Sequence, residues 1–314
     1  MSPPAQNILL SGASGMLGTA LRRALAVRRR AVLQLVRGPV SARGQLQWGA
    51  GLAEPALLEG LSAAIHLSGA NVAAHRWTAG WKREMTESRV QSTFALSKAL
   101  AGLRRPPRAL LVASAIGIYG NRGDEVLDES SAPGSGFLAD LCVQWEAAAQ
   151  PAVDAGIRVV HLRFGVVLGT RVGASTGALA RMIPIFRLGL GGPIGLGRRW
   201  MSWIALADVV DAIFFILQSP ALAGPVNLTS PYPVSNAEFT RALAQAVHRP
   251  AILPVPPFAL RVALGEMASE TILASARVFP AKLTEADFPF THPSIEQAIA
   301  ASLAPPLPDN PALS

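Results

Sequence analysis

Three glycines near the N-terminus have the spacing of a loop that binds phosphate groups. Gly12, Gly15 and Gly18 stand between an apolar segment, residues 7–12, and a segment with helical periodicity, residues 16–26. In such a strand, loop and helix, the first glycine permits a tight turn and the second lets the backbone approach a pyrophosphate. The third lets the helix pack closely on the sheet. The motif and its flanking elements therefore predict a dinucleotide-binding site.

The end of the second apolar segment, AVLQLVR, indicates which dinucleotide is bound. An NAD site commonly has an acidic residue there that accepts from the ribose 2′-hydroxyl, whereas a 2′-phosphate is bound by arginine. Here the segment ends in Val36 and Arg37 with no acid nearby. Arginine can hold a phosphate through two charge-assisted hydrogen bonds. These residues favour NADP(H), the alternative being that Arg37 is an ordinary surface arginine.

Groups that could transfer a proton are few. The chain has two tyrosines, Tyr119 and Tyr232, and neither has a lysine four residues later. A phenol is a poor base near neutral pH unless a cation lowers its pKa. Tyr119 is the main candidate because it follows a strand whose end would border the site, although it could equally be a packed loop aromatic. The other candidates are Ser114, Asp140, His161 and a bound water, while His161 and His66 lie in apolar strands and are more typical of core histidines.

The elements that must position these residues alternate along the first half of the chain. We predict strands at 7–12, 31–37, 63–69, 109–115 and 158–165, and helices at 16–26, 79–100 and 136–155. Apolar strands separated by helices predict a parallel sheet with helices on both faces, a Rossmann-type doubly wound α/β fold.

The second half predicts a smaller, mostly helical substrate domain. We expect an NADP-binding Rossmann domain over 1–168, to which 203–230 return, a C-terminal domain over 169–202 and 231–305, and a frayed tail over 306–314. Residues 169–200 are rich in Gly and Arg and predict a loop-rich wall. The expected pocket lining is Met182, Phe186, Leu188, Trp200, Met201 and Trp203, with Arg187, Arg198 and Arg199 able to meet an anion.

The composition of the chain limits the classes of partner that we expect. The 314 residues carry a net charge of +8, and 25 of the 28 cationic residues are arginines scattered in small groups, which does not favour nucleic-acid binding. One cysteine, Cys142, and no His/Cys cluster at ligand spacing exclude an internal disulfide and argue against a metal site. We find no signal-peptide pattern and no apolar run long enough to span a bilayer. We expect a cytoplasmic monomer or homodimer that acts on a small molecule and binds neither nucleic acid nor membrane.

Ordered motifs across nearly the whole chain resemble the extended short-chain dehydrogenase/reductases of the epimerase/dehydratase group. The glycine loop, HLSGA, SAIGIYG, LRFGVVLG and WIALADV carry this resemblance. The match is closer to an atypical branch labelled "epimerase family protein", which ends in a C-terminal domain of unknown function. Its motifs here are RWT with WK, Glu84 and SRV at 76–90, PIFRLGLGGPIGLG at 184–197, SWI at 202–204, and LGEMASETILASARVFPAKL at 264–283.

The resemblance implies a set of cofactor contacts. They are Gly12, Ser14, Gly15, Met16 and Leu17 in the loop, Val36 and Arg37 at the adenosine phosphate, Leu67, Ser68 and Gly69 beside the adenine and ribose, Glu84 and Arg89 on the long helix, and Val166 on the nicotinamide side.

The chain departs from the group's catalytic pattern. Catalytically active members use a Tyr, a Lys four residues later, and a Ser or Thr. The corresponding positions here hold Phe137, Leu141 and Ala115, and Ala205 replaces a His that is common in the branch. Three functions stay open: an NADP(H)-dependent epimerase-like oxidoreductase with another proton donor, a non-catalytic NADP(H)-sensing or scaffold protein, and a nucleotide-sugar epimerase.

Overall fold

The computed structural model describes residues 7–49, 52, 54–169 and 177–304. Two compact units share these residues. The first holds the described chain up to Ser114 with Leu141–Arg163 and Ile213–Val226, and the second holds Ala115–Asp140, Phe164–Ala212 and the described chain from Asn227 onward. No helix in these ranges is long and apolar enough to cross a membrane.

The elements follow one another in this order. Up to residue 168 they are β1 (Ile8–Ser11), α1 (Met16–Val27), β2 (Val32–Val36), β3 (Gln45–Gln47), β4 (Ala63–His66), α2 (Ala79–Ala101), β5 (Ala109–Ala115), β6 (Val126–Leu127), α3 (Phe137–Ala147), α4 (Gln150–Asp154), β7 (Arg158–Phe164) and β8 (Val166–Leu168). Beyond it they are α5 (Ala178–Arg187), β9 (Trp200–Met201), β10 (Trp203–Ala205), α6 (Leu206–Gln218), β11 (Gly224–Leu228), β12 (Val234–Ser235), α7 (Asn236–Ala246), α8 (Pro257–Leu264), β13 (Arg277–Val278), α9 (Ala281–Glu285) and α10 (Ile295–Leu303).

A seven-stranded sheet in the order β11-β7-β5-β4-β1-β2-β3 forms the centre of the fold. Strand β1 pairs in parallel with both β2 and β4, so that Ser11 lies opposite Leu35 on one side and His66 on the other. From β1 the chain runs first to β2 and β3 and then back to β4 and β5. The resulting switch point between β1 and β4 is where doubly wound sheets bind ligands. The predicted fold class is confirmed.

Short strand pairs and helices build the second unit. Its core packs α5, α7 and α10 around Phe186, Trp203, Phe239 and Ile299. Helices α7 and α10 each begin at a capping box, at Ser235 and Ser294. The serine hydroxyl accepts from the backbone amide three residues later, and the side chain of that later residue accepts from the serine backbone amide. These two boxes satisfy backbone amides that the first helical turn leaves unpaired.

Two predicted elements differ from the structure. The single helix expected over 136–155 is two helices, α3 and α4, because Pro151 fits the first turn of a helix but lacks the amide that a helix interior needs. The expected loop-rich wall at 169–200 contains helix α5, whose buried Leu179, Ile183 and Phe186 have helical spacing. Residues 170–176 and the predicted frayed tail lie outside the described residues.

Candidate dinucleotide-binding site

The glycine loop follows β1 at the switch point and holds two glycines that the fold itself requires. Gly12 has φ +68°, and a Cβ there would lie 2.7 Å from the carbonyl oxygen of Leu67 after β4. A Cβ on Gly18 would collide with the carbonyl oxygen of Gly12. Both positions therefore bring the loop, helix α1 and the end of β4 into close contact.

Gly15 is different because the protein leaves the space above it open. Its φ is −71°, and a Cβ would meet only the Gly12 carbonyl oxygen, at an ordinary 3.4 Å. Helix α1 begins here at Met16, with no side-chain cap and no acidic residue in its first turn. Its first amides, from Met16 and Leu17 onward, therefore face the loop with the positive end of the helix dipole. A phosphate group fits the open space between Gly15 and the first amides of α1. Packing of the chain itself does not require this space to stay open.

Arg37 follows β2, the strand beside β1. Its side chain is exposed, and within the described chain it forms no hydrogen bond or ion pair. Val36 is held by its carbonyl oxygen, which accepts from the Trp48 amide at 2.7 Å. The Arg37 side chain therefore begins one residue beyond the end of β2, and its guanidinium donors are available to a phosphate.

A buried histidine fixes the other side of the loop. The Ser11 hydroxyl accepts from the Leu67 amide at 3.1 Å and lies 2.7 Å from His66 Nδ1, while His66 Nε2 lies 3.1 Å from the Ser92 hydroxyl. Since the Ser92 hydroxyl donates to the Ser88 carbonyl oxygen, Nε2 carries the imidazole proton. Burial lowers the pKa of His66 to about 4. His66 is therefore a neutral core residue that sets the position of the Leu67–Gly69 backbone.

Arg89 on α2 holds the same segment from above. Its guanidinium donates to the carbonyl oxygens of Ala70 at 2.8 Å and Met85 at 3.1 Å. A Cβ on Gly69 would lie 3.1 Å from its Cζ, so Gly69 makes room for the guanidinium. Burial lowers the pKa of Arg89, an effect opposed by the Cys142 thiol. No carboxylate of the described residues pairs with this buried cation, whose Cζ lies 5.0 Å from the centroid of the Trp145 ring.

Glu84 does not join Arg89. It lies five residues earlier on α2 with an exposed side chain, and Arg89 is 9% exposed. The structure thus places the two predicted contacts in different surroundings. Of the remaining predicted contacts in this unit, Ser14 is exposed and Ser68 is partly exposed.

Ser114 belongs to a buried ionic network. Its hydroxyl donates to Glu146 Oε1 at 2.7 Å, and Arg163 donates to the two oxygens of the same carboxylate at 2.8 and 2.9 Å. Burial alone would raise the pKa of Glu146. The hydrogen bond and charge of Arg163, the charge of His161 and the Ser114 hydroxyl outweigh this effect, so the pKa of Glu146 is lowered overall. Ser114 and His161 therefore stabilise the Glu146 carboxylate, which links α3 to β5 and β7.

Tyr119 is fully buried in the second unit. Its hydroxyl donates to Asn227 Oδ1 at 2.8 Å, and the Asn227 side chain donates to the Phe279 carbonyl oxygen at 3.0 Å. The Asn227 amide in turn donates to Glu129 Oε1 at 2.9 Å. Burial raises the pKa of Glu129. These bonds give Tyr119 a packing role that its sequence context left open.

A carboxylate that the sequence did not single out lies beside the position of the missing tyrosine. Glu270 Oε2 accepts from the Leu138 amide at 3.1 Å in the first turn of α3. A Cβ on Gly136 would lie 2.5 Å from Glu270 Oε1, so the carboxylate rests on the backbone on both sides of Phe137. Asp140, in the same turn, is exposed. No local pattern marks Glu270, because 132 residues separate it from its partner.

The residues expected to line a substrate pocket lie in different surroundings. Phe186 and Trp203 belong to the core of the second unit, and Leu188 is 74% exposed. Val166, on β8, pairs with Trp203 on β10 and packs against the same core. A cavity of about 640 Å³ in this unit instead follows α7, between Pro193, Arg241 and Arg249. No group of His, Cys, Asp and Glu in the described chain could hold a metal ion.

A doubly wound parallel sheet with a glycine-rich loop at its switch point defines the class of Rossmann-type NAD(P)-binding folds. Residues 8–229 match the NAD dependent epimerase/dehydratase family, and residues 255–302 match a domain of unknown function, DUF1731. The chain therefore belongs to the NAD dependent epimerase/dehydratase family, as the motifs predicted.

Relatives of known sequence and structure extend over nearly the whole chain. Epimerase family protein Mb2239 of Mycobacterium bovis is 42% identical over 301 residues, which cover 95% of this chain and 98% of that protein. The crystal structure of human epimerase family protein SDR39U1 (isoform 2) with NADPH has a TM-score of 0.87 and 30% identity and covers 94% and 98% of the two chains. A nucleoside-diphosphate sugar epimerase from Corynebacterium glutamicum has a TM-score of 0.76 and 34% identity, over 95% of this chain and 58% of that one.

Proposed function

We propose that this protein binds NADP(H) and is an NADP(H)-dependent oxidoreductase of the epimerase type, acting on a small molecule without a Tyr–Lys pair. The observation that carries the cofactor assignment is Arg37, an exposed guanidinium that follows β2, is unpaired among the described residues and has no acidic neighbour in the sequence. The human relative SDR39U1, whose match covers 94% of this chain, was crystallised with NADPH, which supports the assignment.

The residues present fit such a cofactor. Gly15 and the first amides of α1 would hold the pyrophosphate, and Arg37 would hold the 2′-phosphate. The backbone at Leu67–Gly69, fixed by His66 and Arg89, would border the adenosine. Val166 is proposed on the nicotinamide side from the resemblance. When bound, the cofactor would supply hydride transfer at its nicotinamide ring.

A proton must accompany the hydride, and Glu270 is the group we propose to exchange it. The hydroxyls of Ser114 and Tyr119 already donate within buried networks. The Glu270 carboxylate accepts one backbone amide and lies beside Phe137, where the wider group has its tyrosine. A carboxyl group can act in general acid–base catalysis once a substrate lies within hydrogen-bond reach.

A second candidate function is a non-catalytic NADP(H) sensor or scaffold. The occupied hydroxyls of Ser114 and Tyr119, together with Phe137 and Leu141 at the tyrosine and lysine positions, favour it. Nucleotide-sugar epimerisation is less well supported, because it would rely on the missing Tyr–Lys pair and on an acid at the end of β2.

One experiment separates these functions. Purified protein is titrated with NADPH and NADH and then mixed with NADPH and a panel of aldehydes, ketones and nucleotide sugars while absorbance at the nicotinamide band is followed. Substrate-dependent oxidation of NADPH supports the oxidoreductase. Tight NADPH binding without turnover supports the sensor, and tighter binding of NADH than of NADPH contradicts both.

A further inference from the structure

Two neighbouring segments of the second unit expose many large apolar side chains. Of the 17 large hydrophobic residues exposed in the described chain, eight lie within 185–196 and 252–262. They are Ile185, Leu188, Leu190, Leu196, Ile252, Leu253, Phe258 and Val262, and we call them the apolar face. An exposed apolar patch of this kind marks an interaction site rather than ordinary surface.

Backbone contacts make the two segments one surface. The Val255 amide donates to the Pro193 carbonyl oxygen at 2.8 Å, and the Gly195 amide donates to the Val255 carbonyl oxygen at 3.0 Å. At the other end, Arg249 Nε donates to the Arg187 carbonyl oxygen at 3.1 Å. The exposed side chains therefore stand on a continuous, hydrogen-bonded support.

The two segments that form this face carry only positive charges, and the acidic residues Glu238 and Glu266 flank them. Residues 177–207 and 239–265 contain no Asp or Glu, although the whole chain has 20. The same stretches contain seven arginines, Arg181, Arg187, Arg198, Arg199, Arg241, Arg249 and Arg261. Such an arrangement complements a negatively charged partner.

The shape of the face indicates what that partner is. Leu196 and Ile252 are 79% and 80% exposed, and Val262 is 71% exposed. These side chains protrude from the surface, as do the apolar groups of elements that enter the boundary between headgroups and acyl chains. On helix α8, Phe258 and Val262 lie four residues apart on one face with Arg261 beside them. Protruding aliphatic side chains with arginines on the same segments are typical of elements that lie in the interface of an anionic bilayer.

We propose that the apolar face binds the surface of an anionic lipid bilayer. The aliphatic tips enter the acyl boundary, and the arginines contact the phosphate headgroups. The sequence led us to expect no membrane partner because it holds no spanning segment, and only the structure shows that these side chains are exposed together.

The test uses the full chain and vesicles of phosphatidylcholine with or without one quarter phosphatidylglycerol. We expect sedimentation with the anionic vesicles, little with the neutral ones, and weaker binding at 0.5 M salt than at 0.1 M. The double variant Leu196→Ser/Ile252→Ser should lose at least about tenfold in the partition coefficient. The pair Arg187→Gln/Arg261→Gln should lose on the order of 20-fold.

Matched controls keep the result specific. Val143 and Val153 are also exposed but lie outside the apolar face, so Val143→Ser/Val153→Ser should bind vesicles like the wild type. Circular dichroism checks that each variant is folded. Equal loss of vesicle binding in Leu196→Ser/Ile252→Ser and in the control Val143→Ser/Val153→Ser overturns the proposal. So does a wild-type protein that does not bind vesicles. A dimer in sedimentation velocity that Leu196→Ser/Ile252→Ser dissociates, without vesicle binding, would also overturn it and assign the face to a second copy.

Discussion

The buried His66 predicts a specific dependence of stability on pH. Its pKa is about 4 in the folded protein against 6.5 for the free side chain. The folded state therefore binds fewer protons than the unfolded state between these two pH values. Stability from His66 is fully present above pH 6.5 and is lost as pH falls toward 4, because protons then favour the unfolded chain.

The size of the effect follows from the shift. A pKa difference of one unit corresponds to about 1.4 kcal/mol, so the full loss is about 3 kcal/mol. At pH 5 the unfolded histidine is almost fully protonated while the folded one is not, and the loss there is about 2 kcal/mol. Other groups also titrate in this range, so the contribution of His66 must be isolated by comparison with a variant that cannot be protonated.

His66→Gln is that variant, since it keeps a polar group near Ser11 and Ser92. The free energy of unfolding of both proteins is measured in urea at pH 7, 6 and 5. His66→Gln is expected to be less stable at pH 7, and the difference between the proteins should shrink by about 2 kcal/mol by pH 5. A difference that stays constant with pH would refute the neutral, buried His66.

Three further predictions concern the site. Gly15→Ala should lower the affinity for NADPH at least about tenfold, while its free energy of unfolding stays within about 1 kcal/mol of the wild type. Gly18→Ala should destabilise the fold, because its Cβ collides with Gly12. Equal destabilisation of the two variants would contradict this distinction. Tyr119→Phe should destabilise the protein by about 1–3 kcal/mol, since Asn227 loses its partner, without changing any NADPH turnover at temperatures where it is folded; a loss of turnover alone would make Tyr119 a proton donor. Glu270→Gln, which can still accept from the Leu138 amide, should lower kcat at least about tenfold with an unchanged Kd for NADPH; an unchanged pH profile and kcat would show that Glu270 only caps α3.

The sequence predicted the parts of the fold that local patterns encode. Strand β5 matches its predicted bounds of 109–115, and helix α2 differs by a single residue at its end. The glycine loop was predictable because a side chain at Gly12 or Gly18 would collide with neighbouring backbone, so only glycine fits these positions. Helix α5 was missed because flanking glycines obscured its helical spacing.

Long-range contacts could not be predicted in the same way. The bonds of Ser114 to Glu146 and of Tyr119 to Asn227 join residues 32 and 108 positions apart. No spacing rule connects such pairs, so the sequence alone left both hydroxyls as proton-transfer candidates. The same limit hid Glu270, whose contact with Leu138 depends on tertiary folding.

The affinity of Arg37→Ala for the two cofactors tests the central claim most directly. Isothermal titration of wild type, Arg37→Ala and the exposed control Arg104→Ala is carried out with NADPH and with NADH. We expect Arg37→Ala to lose about 1.5–3 kcal/mol of NADPH binding, the value of one charge-assisted contact, with little change for NADH. The control should bind both like the wild type. Equal weakening of NADPH and NADH in Arg37→Ala would contradict the assignment of NADP(H).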